Sequence, residues 1–144
     1  MNCIFFGHRD TSEQIYENLK NAIRSLIIYN GINTFFIGNN GSFDLMCQKV
    51  LSELSEVYDS ISYTILLSRI NEIALNNEQE NTVFPEALEK VPYRYAISKR
   101  NDILISLGDV AIVFVKHNAS NAYKLMTKAY KKGLKVINIS SAEF

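Results

Sequence analysis

The chain is poor in cysteine, has no excess of either charge and contains no long hydrophobic run, and each shortage removes a class of protein. Cys3 and Cys47 are the only two cysteines among 144 residues. One sits in an apolar run and the other in a helical pattern, which suits neither a disulfide scaffold nor paired metal ligands. Both are read as buried, reduced thiols. The 15 Lys and Arg balance 15 Asp and Glu. The counterion release that gives nucleic-acid binders most of their affinity therefore has no global source, and general nucleic-acid binding is not expected. His8 and Arg9 follow a short apolar run at the N-terminus, and no apolar stretch reaches the roughly 20 residues that cross a bilayer. No membrane partner is expected, and the chain is expected to be cytoplasmic.

Several chemical signatures are missing as well. The segment Gly38-Asn39-Asn40-Gly41-Ser42-Phe43-Asp44 lacks the Gly-Lys-Ser/Thr ending of a Walker A loop and the glycine spacing of the dinucleotide fingerprint, which weighs against ATP hydrolysis and ordinary NAD redox chemistry. No Gly-x-Ser-x-Gly element supplies a nucleophile for His8 or His117. These two histidines follow apolar runs and are placed to approach each other, but a structural zinc normally takes four ligands. No metal and no cofactor are expected.

What is present suits one domain over residues 1–144. The 47% hydrophobic content is enough for one core, whereas two halves would each approach the lower size limit for stable folding. Five short apolar runs stand out: Cys3 to Phe6, Thr34 to Ile37, Tyr63 to Leu67, Val110 to Val115 and Val136 to Ile139. Unbroken rather than alternating runs indicate strands covered on both faces, as in parallel sheets. Helical patterns lie between them. The first carries Ile15, Leu19, Ala22, Ile23, Leu26 and Ile27 on one stripe. Asp10 and Glu13 have the form of a capping box before it, and Asn30-Gly31 supplies its stop. Ser42 is expected to cap a second helix to about Tyr58, and Ser120 a last one ending near Gly133. A further helix is expected from Arg94 to Ser106. The polar segment Ser68 to Val83 reads as a long loop, a possible lid. The pattern predicts a Rossmann-like three-layer α/β/α sandwich with a mainly parallel five-stranded sheet.

In such sheets ligands bind beyond the carboxyl ends of the strands, where strand order reverses. The loops after the strands are therefore the place to look. Gly7-His8-Arg9-Asp10 opens into a helix whose first amides favour an anion, and Arg9 offers a bidentate clamp; the alternative is a tight turn with Arg9 paired on the surface. In the second loop, Gly38 and Gly41 permit close backbone approach, with Asn39, Asn40, Ser42 and Asp44 beside them; these same residues also suit a plain turn and helix start. Lys116-His117-Asn118-Ala119-Ser120-Asn121 again opens into a helix. Arg94, Arg100 and Asn101 gather around the helix before the fourth run, although six helical positions separate the two arginines by about 240° net, so they need not share a face.

Taken together, Phe5-Phe6-Gly7-His8-Arg9, Gly38 to Asp44, Arg94 with Arg100-Asn101, and Gly108-Asp109-Val110 resemble the SLOG superfamily, in its small DUF1273, or YpsA-like, branch. The resemblance covers the chain from Cys3 to Asn138 and implies a Rossmann-like nucleotide pocket. By that likeness Gly7, His8 and Arg9 border the phosphate or ribose, Gly38, Gly41, Ser42 and Asp44 form a second wall, and Arg100 and Asn101 reach in. The resemblance stops short of the Lonely Guy phosphoribohydrolases of that superfamily. Their Pro-Gly-Gly-x-Gly-Thr-x-x-Glu signature is replaced here by the Lys116 to Lys124 stretch, without its glycines and glutamate. Cleavage of an N-glycosidic bond builds positive charge on ribose and calls for a carboxylate. Asp44 and Glu86 are the candidate catalytic residues.

Three readings follow. The first is a stand-alone module that senses or sequesters a nucleotide-like small molecule, with Asn39, Arg94, His117, Asn118 and Ser120 added to the ligand-binding set. The second is an N-glycosidase or nucleoside transferase using Glu86 or Asp44, and the third a structural protein with a vestigial pocket. Tyr16, Tyr29, Tyr58, Tyr123 and Tyr130 supply aromatic surface of the kind enriched at interfaces, so a homo-oligomer is expected.

Overall fold

The structure is a computed structural model that describes residues 1–69 and 81–140. Its strands are β1 (Asn2–Gly7), β2 (Thr34–Ile37), β3 (Ser62–Leu66), β4 (Thr82–Val83), β5 (Val110–Phe114) and β6 (Lys135–Asn138). Its helices are α1 (Tyr16–Asn30), α2 (Ser42–Val57), α3 (Ala96–Leu107) and α4 (Asn121–Lys131), with short 3-10 turns at Glu13–Ile15, Glu86–Leu88 and Tyr93–Tyr95. The strands form one sheet in the order β4-β3-β2-β1-β5-β6. Every pairing is parallel. The fold is the Rossmann-like α/β class that the apolar runs predict.

Among the described residues the sheet has six strands where five are expected, and it is wholly rather than mainly parallel. The extra strand, β4, is two residues long and falls inside the segment read as a loop. It adds to the free edge of β3 through Ile65 N–H to Asn81 O at 2.7 Å and Leu67 N–H to Val83 O at 2.9 Å. Edge pairing of backbone needs no apolar side chains, so composition does not announce it. Residues 70–80 of the expected lid lie outside the described residues.

Alternation along the central strands divides the core into two layers. Cys3 and Phe5 of β1, with Val110, Ile112 and Phe114 of β5, join the cluster under α1 and α2. Ile4 and Phe6, with Ala111, Val113 and Val115, join the cluster containing Leu104 and Ile105 of α3 and Ala122 and Ala129 of α4. Successive strand side chains point to opposite faces, so a strand buried on both faces is apolar throughout. In α1, Leu19, Ile23 and Leu26 face the sheet. An ion pair from Lys128 of α4 to Asp102 of α3 joins the two helices of the other layer. Of the five tyrosines expected at an interface, Tyr16, Tyr58 and Tyr123 pack partly buried against the core, while Tyr29 and Tyr130 are exposed.

Local caps differ in detail from the expectation. Ser12 rather than Asp10 starts the first helical segment, accepting from Gln14 N–H at 3.2 Å, and a 3-10 turn intervenes before α1. Ser42 is the first residue of α2 rather than its cap, and its hydroxyl turns to the β1 loop instead. Ser120 caps α4 as expected, accepting from Tyr123 N–H at 3.1 Å. Gly31 ends α1 in the left-handed region at φ 65°, and Ile32 N–H bonds back to Leu26 O at 3.1 Å. A Cβ there meets nothing within 4 Å, so the requirement is backbone conformation alone. Gly31→Ala should therefore cost about 1 kcal/mol in urea denaturation, and Gly31→Asn distinctly less, because Asn tolerates this region. Equal losses would contradict a conformational cause.

Candidate functional site

Strand order reverses between β1 and β5: β2, β3 and β4 follow on one side of β1, while β5 and β6 lie on the other. The loops after β1 and β5 diverge there to opposite faces of the sheet, opening the crevice that this fold class uses for ligands. A cleft of about 350 Å³ occupies that position. Gly7, His8, Arg9 and Asp10 line it from the β1 loop, and Asn40 and Asp44 from the β2 side. Ile97, Arg100 and Asn101 contribute from α3, and His117, Ser120, Asn121, Ala122 and Leu125 from the β5 loop and α4.

The floor is organised by Arg100, which is 1% exposed. Its Nη1 donates to Asn39 Oδ1 at 3.1 Å and to Leu66 O at 3.0 Å, its Nη2 to Asn40 Oδ1 at 2.9 Å, and its Nε to Asn101 Oδ1 at 3.1 Å. A buried guanidinium persists only when its donors are met. The fork thus ties α3 to the end of β3 and to the β2 loop. Gly38 makes the approach possible, because a Cβ on it would lie 2.8 Å from both Arg100 Cζ and Asp44 Oδ2. Gln48 fixes the same glycine by donating to its carbonyl at 3.0 Å.

The β2 loop in turn holds the β1 loop. Ser42 N–H donates to Arg9 O at 2.8 Å, and the Ser42 hydroxyl lies 2.8 Å from Arg9 O and 2.9 Å from Thr11 O. Gly41, at φ 95°, packs so closely that a Cβ would stand 2.7 Å from Arg9 Cα. Phe43 covers Gly7 in the same way, since a Cβ on Gly7 would fall 2.3 Å from its ring. The glycines therefore serve loop-to-loop contact. Arg9 itself is exposed at the mouth of the cleft.

His8 joins the β1 and β5 loops. Its Nε2 accepts from Lys116 N–H at 2.9 Å, which places the ring proton on Nδ1. The imidazole stacks on His117 at 4.6 Å between centroids and 12° between planes. Burial, followed by the charge on His117, holds its pKa below the usual histidine value. Behind this loop, Asn138 of β6 accepts from Val115 N–H at 3.1 Å and donates to Val115 O at 3.0 Å.

Asp44 contributes a buried carboxylate to the cleft. Its Oδ2 accepts from Asn40 N–H at 2.9 Å. Burial outweighs that bond and the nearby charges of Arg100 and Arg9, and pushes its pKa up to about 6. Asp44 is thereby poised to exchange a proton near neutrality.

Of the residues picked from sequence, the cleft gathers Gly7, His8, Arg9, Asp44, Arg100, Asn101, His117 and Ser120. Gly38, Asn39, Gly41 and Ser42 stand behind it as loop supports. Glu86, Arg94 and Asn118 are exposed and do not line it. Arg94 lies over Tyr95, 4.8 Å from the ring centroid. Asn40, Ile97, Asn121 and Leu125 were not singled out as ligand contacts, nor Asn138 as a loop support; only their positions beside the strand ends mark them. Among the described residues no three His, Cys, Asp or Glu side chains converge as a metal site, and no helix is long and apolar enough to cross a membrane.

Fold and cleft define the chain as a Rossmann-like α/β protein with a polar crevice at its switch point. It matches no known protein-family model and no curated protein.

The raised pKa of Asp44 makes stability depend on pH. The folded state holds this proton more tightly than the unfolded chain, so the contribution is full below the ordinary value of 3.8 and lost as pH rises through about 6. That difference corresponds to roughly 3 kcal/mol. Urea denaturation between these pH values should show wild-type stability falling relative to Asp44→Asn. Parallel pH profiles for the two proteins would contradict the assignment.

Proposed function

We propose that the switch-point cleft binds a nucleotide or nucleotide-derived small molecule, and that the chain acts as a sensor or sequestering module. The observation carrying this reading is the convergence of Arg9, the stacked His8 and His117 and the first turn of α4 on one cleft. A helix start presents unpaired N–H groups and a partial positive charge, which suit a phosphate, and Arg9 adds a planar fork. Asp44, Asn40 and Asn101 line the same cleft with acceptors and donors suited to ribose hydroxyls or a base edge. The SLOG-like motif order supports the same reading, as does the position at the switch point. In this account Arg100 acts on the ligand chiefly through the loops that it holds.

A second reading, N-glycosidic bond cleavage or nucleoside transfer, is favoured by Asp44 alone. It is a carboxyl group lining the cleft with a pKa near neutrality, which suits a group that stabilises positive charge on ribose or moves a proton. Glu86 has no such position. A homo-oligomer, with Tyr29 and Tyr130 as its exposed aromatic contacts, is part of the proposal and is checked by sedimentation.

Thermal shift with a panel of nucleoside monophosphates, cyclic dinucleotides and ADP-ribose derivatives tests both readings. A ligand at 100 times its dissociation constant should stabilise the fold by about 2.7 kcal/mol. Arg9→Ala should weaken that ligand about tenfold or more, as loss of a charge-assisted contact requires. Recovery of intact ligand supports the binding module, and release of free base supports the enzyme. Absence of any nucleotide-induced shift would overturn both.

A further inference from the structure

A second cavity, of about 240 Å³, lies on the other side of the α3 start and, among the described residues, shares no lining residue with the switch-point cleft. Ala96 borders it, while the next residue, Ile97, faces the first cleft. Its walls are mainly apolar, formed by Phe84, Leu88, Val91 and the ring of Tyr93. Arg69, just beyond β3, supplies the cation.

The guanidinium carbon of Arg69 lies over the Tyr93 ring, 3.5 Å from its centroid. A cation–π contact of this kind restrains the guanidinium beside the cavity. Its Nε is buried and has no hydrogen-bond partner. Buried donors are almost always satisfied, and an orphaned one costs about as much as a lost hydrogen bond. A guanidinium at the edge of an apolar cavity, with one of its N–H groups unmet by the protein, is the arrangement that a carboxylate completes. Glu89 also borders the cavity and forms no ion pair with Arg69. Its negative charge disfavours a dianion more than a monoanion.

We propose that this cavity is a second small-molecule site, for a monocarboxylate with a compact apolar body, in which Arg69 binds the carboxylate and Phe84, Leu88 and Val91 enclose the body. The site is independent of the nucleotide reading of the first cleft.

The probe is benzoate, followed through the Arg69 Nε–Hε resonance of the ¹⁵N-labelled protein. Benzyl alcohol serves as the neutral match and phenyl phosphate as the more highly charged one. Benzoate should shift that resonance saturably, benzyl alcohol should bind about tenfold more weakly, and phenyl phosphate should bind more weakly than benzoate. Arg69→Gln should abolish benzoate binding as read by backbone amides around the cavity, and Arg9→Ala should leave it intact. The proposal is overturned if benzoate gives no saturable response, if benzyl alcohol binds equally well, or if phenyl phosphate binds more tightly. Survival of binding in Arg69→Gln, or its loss in Arg9→Ala, would overturn it too. Should Arg69→Gln fail to fold, the comparison of benzoate with its neutral match in the wild type decides the matter.

Discussion

Arg100 places a positive charge beneath the cleft, in a position 1% exposed to solvent. Burial of a charge carries a large desolvation penalty, offset here by acceptors from three parts of the chain: Leu66 O at the end of β3, Asn39 and Asn40 in the β2 loop, and the adjacent Asn101. Because these acceptors lie far apart in sequence, satisfying one guanidinium fixes their relative positions. The β2 loop, once fixed, holds the β1 loop through Ser42 and the close approach of Gly41 to Arg9. The β1 loop then meets the β5 loop through His8 and Lys116. A chain of polar contacts thus runs from the buried arginine to the mouth of the cleft.

The apolar core and this polar chain have separate tasks. Two layers of buried side chains on either face of β1 and β5 hold the sheet and its helices. They determine where the strand ends lie, and hence where a crevice opens. The polar contacts determine what the crevice presents: Arg9, two stacked imidazoles and a carboxyl group with its pKa near 6. Preorganised polar groups of this kind lose little freedom when a ligand arrives, which is how a small cleft gains selectivity.

The fold was largely legible because strands buried on both faces must be apolar at every position. β4 escaped because its two residues add to an edge through backbone bonds alone. The cleft was legible as a set of loops, since strand-end loops containing glycine and helix starts are recognisable locally. The partners within it were not. Ser42 reads as a cap because the helix start is beside it in sequence, yet its hydroxyl bonds to a loop 31 to 33 residues away. Asn39 and Asn40 read as turn formers and prove to be acceptors for an arginine about 60 residues on. Arg100 reads as a ligand clamp, whereas its guanidinium is engaged by the protein. Each choice was made by a tertiary partner that local pattern does not encode.

The most direct test of this account is amide hydrogen exchange on Arg100→Lys, which keeps the charge but loses the planar fork. The account predicts that exchange at Asn40 and Ser42 accelerates about tenfold or more, because their bonds to Asp44 and Arg9 depend on the held loop. Amides within β1 and β5 should keep their protection. Unchanged exchange at Asn40 and Ser42, or equal acceleration throughout the sheet, would contradict the claim that this arginine organises the cleft.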